Sequence, residues 1–157
     1  MNYSSVQSSW TYKGKDLPFL KLSDASGSAT AVFLADMIIG RPREFAAMYE
    51  SVIQRATNKS EATIPTNNAR ANLLMFAGDK DSVWPSVTMA QTIKQHYPHF
   101  SHLEVYPNAG HVFFGPSVIR GMRAGGEYDA NETAKIQSDT ILLKQLDSWT
   151  KDDGQKT

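Results

Sequence analysis

The sequence predicts an α/β fold with few parallel strands and flanking helices, and three observations lead there. An apolar run without helical period, Asn72 to Phe76, breaks at Gly78 into the acidic turn Asp79-Lys80-Asp81, the pattern of a buried strand followed by a turn. Ser101 to Tyr106 largely alternates polar and apolar residues and carries β-formers, after which Pro107-Asn108-Ala109-Gly110 turns the chain. Between them, Ser86 to Tyr97 places Met89, Ala90, Ile93 and Tyr97 at helical spacing, with Pro85 suited to a first-turn position. Strand, helix and strand in that order form a parallel crossover, so Asp81 and His111 fall on the same edge of the sheet. In open α/β sheets that edge collects ligands and catalytic groups.

The remaining elements follow in order. A chain of 157 residues is of one-domain size, and residues 1–157 read as a single partial domain. Residues 1–28, rich in Ser, Lys and Gly and broken by Pro18, read mostly as an entry loop. Residues 29–61 form a helical, lid-like region. Ala29 to Ile39 is apolar enough for a buried helix or a strand, and periodicity does not decide between them. Pro42 to Ala56 opens with proline in the first turn and puts Phe45, Met48, Tyr49, Val52 and Ile53 on one face, as a packed helix or a lid over a pocket. Asn58 to Arg70 is a polar connector.

Residues 62–150 carry the acid and histidine stations and a closing helix. Asp79 and Asp81 both follow the first strand; acidic turns there also serve as helix caps, a role open to Asp79 or Ser82 ahead of Pro85. His111 follows Gly110, whose missing side chain lets the backbone bend close to a reacting centre. His96, His99 and His102 recur at intervals of three. Pro98 interrupts them, so they do not share a helical face and read as loop residues rather than metal ligands. Val112 to Pro116 is apolar and either lines a channel or plugs the space beneath the His111 loop. Arg120 to Asn131 is glycine-rich and reads as flexible; Arg120 and Arg123 are candidates to meet ligand phosphates, though arginines beside glycines are more often solvated. Glu132 to Thr150 returns to helical spacing, with Ile136, Leu142, Leu143, Leu146 and Trp149 on one side to pack across the sheet. Residues 151–157 form a polar tail.

Gly78-Asp79-Lys80-Asp81 with Trp84-Pro85-Ser86, then Asn108-Ala109-Gly110-His111, resembles the acid and histidine stations of α/β-hydrolases. Ser8-Ser9-Trp10-Thr11-Tyr12-Lys13-Gly14-Lys15-Asp16-Leu17-Pro18-Phe19, Ala62-Thr63-Ile64-Pro65 and Gly125-Gly126 narrow the resemblance. They are similar to the C-terminal catalytic domain of the acyl-CoA thioesterase and bile acid-CoA:amino acid N-acyltransferase family. The resemblance covers nearly the whole chain and implies the C-terminal half of an α/β-hydrolase fold. In the family pattern the acid stands three residues after the glycine, which is Asp81, while Asp79 points to solvent. Asp81 would then orient the imidazole, and His111 would act as general base and acid in thioester cleavage or acyl transfer.

No nucleophile accompanies them. The sequence contains no Gly-x-Ser-x-Gly turn and no cysteine; Ser26-Gly27-Ser28 lacks the preceding apolar strand and the second glycine of a nucleophile elbow. The family's nucleophile would stand upstream of Ser8, so the resemblance implies the back half of an enzyme, inactive alone. The substrate it implies is an acyl-CoA or another thioester, with no cofactor. Two strands are a poor basis for an independent sheet, so the chain is expected to associate with itself or with a separate front half. Two readings of other kinds stand beside this one: a non-catalytic binding or oligomerisation module, and a metal-dependent hydrolase using the three histidines. Zero formal charge gives no basis for binding nucleic acid or an acidic membrane. Met1 to Trp10 is too polar for a signal peptide and no apolar run approaches a membrane span, so a cytoplasmic protein is expected.

Overall fold

The computed structural model describes residues 8–153; residues 1–7 of the expected entry loop and 154–157 of the expected tail lie outside the described residues. The described part of the entry segment is not all loop. Strands β1 (Thr11–Tyr12) and β2 (Lys15–Asp16) pair antiparallel around Lys13 and Gly14, both at positive φ, the geometry of a tight hairpin turn. Helix α1 (Gly27–Ile38) settles the ambiguity over the next stretch: Ser26 caps it by accepting the Ala29 N–H at 3.2 Å. Its apolar composition did not translate into burial. No residue of α1 is buried, and it leans on the next helix through Phe33 and Phe45, whose ring centroids are 5.0 Å apart.

Helix α2 (Ala46–Arg55) starts four residues later than its sequence suggests. The residues before it are held by tertiary hydrogen bonds instead: Arg43 bridges Met122, and the Phe45 and Ala46 N–H groups donate to the Ser82 carbonyl at 3.0 and 3.1 Å. That carbonyl satisfies donors left over at a helix N-terminus. The predicted face is otherwise correct, with Met48 and Val52 buried. The polar connector contains a one-turn helix, α3 (Lys59–Ala62).

The central crossover forms as expected. Strand β3 (Leu73–Gly78) pairs parallel with β4 (Ser101–Tyr106) in register from Leu73 and Ser101 to Gly78 and Tyr106. Helix α4 (Ser86–His96) joins them and packs on both. Pro85 is its N-cap rather than its first helical residue, and neither Asp79 nor Ser82 caps it.

Arg120 to Asn131 departs from the flexible loop expected. Strands β5 (Val118–Ile119) and β6 (Met122–Arg123) form a hairpin, followed by Ala124 with no exposed surface. Helix α5 (Tyr128–Asp153) then runs for 26 residues, beginning before Glu132 and passing Thr150. Its inward face also differs from expectation. Asn131, Ala134 and Ser138 are buried, while Ile136 and Leu143 are each 68% exposed. An apolar stripe shows which residues gain from burial, but the close approach of α5 to the glycine-rich loops admits only small side chains on that side.

Ala134 joins Tyr106 and Ala109 in a small core, with Phe76 and Phe113 packed against it. The observed class is therefore mixed α/β, with a parallel β-α-β unit at its centre. Among the described residues, no helix is long and apolar enough to cross a membrane.

Candidate active site

In-register parallel pairing sends the turns after β3 and β4 off the same edge. Two links join those turns at once: Lys80 N–H donates to the Ala109 carbonyl at 2.9 Å and Asp79 N–H to the Tyr106 carbonyl at 3.2 Å. Asp79 is solvent-exposed, as expected, yet its Oδ1 also accepts the Asn108 N–H at 2.6 Å. It is a tie between the loops. Asn108 has φ +58°, a conformation Asn tolerates well.

Asp81 turns inward, its side chain only 4% exposed. Oδ1 accepts the N–H groups of Val83 at 2.8 Å and Trp84 at 3.0 Å. Oδ2 faces His111 Nδ1 at 3.0 Å and also accepts the Ser86 hydroxyl. A carboxylate with two oxygens and about four lone-pair directions is thus met by four donors, which offsets the cost of burying it. A proton on Nδ1 to serve that bond leaves Nε2 of a neutral imidazole as the acceptor. The His111 side chain is 28% exposed, and among the described residues no hydrogen bond reaches Nε2. Trp84 stands edge-on to the imidazole with centroids 5.2 Å apart, and Tyr49 of α2 stands against Trp84 at 6.5 Å.

A third segment holds the two stations together, and sequence reasoning missed its role. The Ala124 carbonyl accepts the His111 N–H at 2.8 Å and the Ser82 N–H at 3.4 Å. Gly125 bridges Asp81 and Gly126 bridges Ala109. A Cβ on Gly110 would run into the Gly125 carbonyl, so its bare backbone admits this brace. Asn131, fully buried on α5, accepts the Gly110 N–H at 2.8 Å and donates to the Gly125 and Gly115 carbonyls, each at 3.4 Å. Adjacent glycines were the available signal for a close backbone approach. A lone Asn in a helical run carried none.

The other candidates fall elsewhere. His96 ends α4, His99 lies in the following loop, and His102 on β4 contacts Glu104 Oε1 at 2.6 Å. Among the described residues no group of three or more His, Cys, Asp or Glu could hold a metal ion. Phe113 packs edge-on against Tyr106 at 5.1 Å, while Phe114 is exposed. Arg123 pairs with Glu44 at 2.7 Å, an exposed ion pair of the kind worth about 0–1 kcal/mol. Arg120 occupies the turn of the β5–β6 hairpin at φ +49°.

A parallel β-α-β unit with an acid and a histidine joined at its carboxyl edge defines an α/β domain that pairs a buried carboxylate with a partly exposed imidazole. The chain belongs to the family described as BAAT / Acyl-CoA thioester hydrolase C terminal, which it matches over residues 6–118. Asp81 and His111 lie inside that span; Ala124 to Gly126 and α5 lie beyond it. No curated protein matches the chain.

Proposed function

We propose that this chain supplies the acid and the histidine of an acyl-CoA thioester hydrolase or acyltransferase with an α/β-hydrolase fold. The observation that carries this reading is the Asp81 Oδ2 to His111 Nδ1 contact at 3.0 Å beyond the carboxyl ends of β3 and β4, together with the family match. Asp81 orients the imidazole, and His111 Nε2 is the proton acceptor.

The nucleophile comes from outside this sequence, which has neither an elbow serine nor a cysteine. His111 takes the proton of that hydroxyl or thiol as it attacks the thioester carbonyl. The C–S bond breaks, and the imidazolium returns the proton to the departing thiolate. Water or an amine then takes the acyl group in a second step with the same base. Residues 1–157 act in this scheme as one partial domain completed by a front half.

The test is thioesterase activity on a medium-chain acyl-CoA, measured with the chain alone and with an added front half bearing a Gly-x-Ser-x-Gly elbow. Activity in the mixture that disappears with His111→Ala is the expected result. A folded chain giving no activity in either sample would overturn it. A non-catalytic association module is the second reading, favoured by the exposure of Ile136 and Leu143 on α5 and of Val32 and Ile38 on α1.

A further inference from the structure

Ser86 is the first residue of α4, one position past the N-cap at which a serine side chain accepts a backbone N–H. Pro85 is the N-cap and no side chain caps the helix; the Ser86 hydroxyl is directed back along the chain onto Asp81 Oδ2, five residues earlier. The oxygen it selects is the one that faces His111 Nδ1, while Oδ1 is already occupied by the Val83 and Trp84 amides. The hydroxyl therefore does something the helix does not need.

We infer that Ser86 is a positioning residue for the Asp81–His111 pair. Four donors at defined directions allow the carboxylate one orientation, and Ser86 supplies the fourth, so Oδ2 stays in line with Nδ1 and the imidazole keeps its proton on that nitrogen. Without the hydroxyl, Oδ2 has one donor in place of two. The carboxylate then has room to rotate or admit water, and the hold on the histidine tautomer weakens. Ser86 touches no reacting atom in this arrangement; it acts through Asp81. The role bears on catalysis only within the function proposed above, but the geometry it controls exists in this chain without substrate or nucleophile.

That independence shapes the test. The full chain, labelled with ¹⁵N at histidine, is examined by NMR for the downfield Nδ1–H resonance of His111 and for its ring-nitrogen shifts. Ser86→Ala is expected to broaden the resonance and raise its exchange with water at least several-fold, moving the ring-nitrogen shifts toward a mixture of tautomers. Ser86→Thr, which keeps the hydroxyl, restores the native spectrum. In an Asp81→Asn background, Ser86→Ala adds nothing further, because the route through the carboxylate is already cut.

An unchanged His111 spectrum in folded Ser86→Ala overturns the inference, as does an equal effect in the Asp81→Asn background. Should the alanine variant fail to fold, a native spectrum in Ser86→Thr supports the inference and an altered one overturns it. A positive result with no thioesterase activity in the mixed assay would remove the proposed function and leave the role of Ser86 standing.

Discussion

The buried carboxamide of Asn131 accepts the N–H of Gly110 at 2.8 Å, tying the first turn of α5 to the residue before His111. The contact joins residues 21 apart. It explains why a long helix with few apolar contacts to the sheet matters to the site: it fixes the loop from which His111 projects.

Asn131→Ala should destabilise the chain by about 2 kcal/mol or more, since it leaves a buried donor unpaired and opens a small void. Urea unfolding should show the midpoint falling, and hydrogen exchange should show the Gly110 amide losing protection. Asn131→Asp should do worse, because the carboxylate would be buried among backbone carbonyls with one N–H donor.

Gly125→Ala and Gly121→Ala test the brace against simple backbone strain. Both glycines have positive φ, +84° and +75°. A Cβ at Gly121 meets nothing within 4 Å, whereas at Gly125 it runs into the Lys80 carbonyl. The Gly121 variant should lose about 1 kcal/mol. Gly125→Ala should lose clearly more, because backbone cannot yield, and the Asp81–His111 contact should open. Equal thermal shifts for the two would rule out a tight brace.

Tyr106 carries a buried hydroxyl with no partner among the described residues. Burial first, and then the neighbouring Glu104 charge, push its phenol above its ordinary value of 10.0. A raised folded-state value favours the protonated phenol, so its contribution is fully present below the unfolded value and is lost as pH rises through the folded one. Stability should therefore fall above about pH 10 in a way that Tyr106→Phe reduces. At neutral pH the same variant should be neutral or stabilising by up to about 1 kcal/mol, since it removes an unsatisfied hydroxyl. Denaturant midpoints at pH 7 and pH 10.5 check both.

Leu143→Lys should barely change the stability of the isolated chain, within about 0.5 kcal/mol, because Leu143 is 68% exposed. Sedimentation of the same variant reads the association expected of an exposed apolar stripe. A large loss of monomer stability would mean that α5 buries the side its sequence pattern indicates.

The Asp81 and His111 stations were legible because the signals are local. Each follows a short strand whose apolar or alternating pattern ends at turn residues, and the crossover rule places both on one edge. The face of α2 was legible for the same reason, as 3.6-residue spacing needs no knowledge of distant partners. Its start was not, since the Ser82 carbonyl that holds Phe45 and Ala46 lies 37 residues from Phe45.

By itself the sequence determined the parallel β-α-β unit, the acid and histidine at its edge, and the lack of a nucleophile elbow. Tertiary structure decided what fixes the pair: the Ala124 to Gly126 brace, the Asn131 contact, and the hydrogen bond of the Ser86 hydroxyl to Asp81. These depend on where backbone groups from distant segments meet. Hydrogen bonding of that kind leaves no periodic trace, and small residues such as Ala124, Gly125 and Ala134 are selected by the space available rather than by hydrophobicity. The stripe on α5 shows the converse. Periodicity identified its apolar residues, but which side of the helix comes nearest the loops was set by what could fit there.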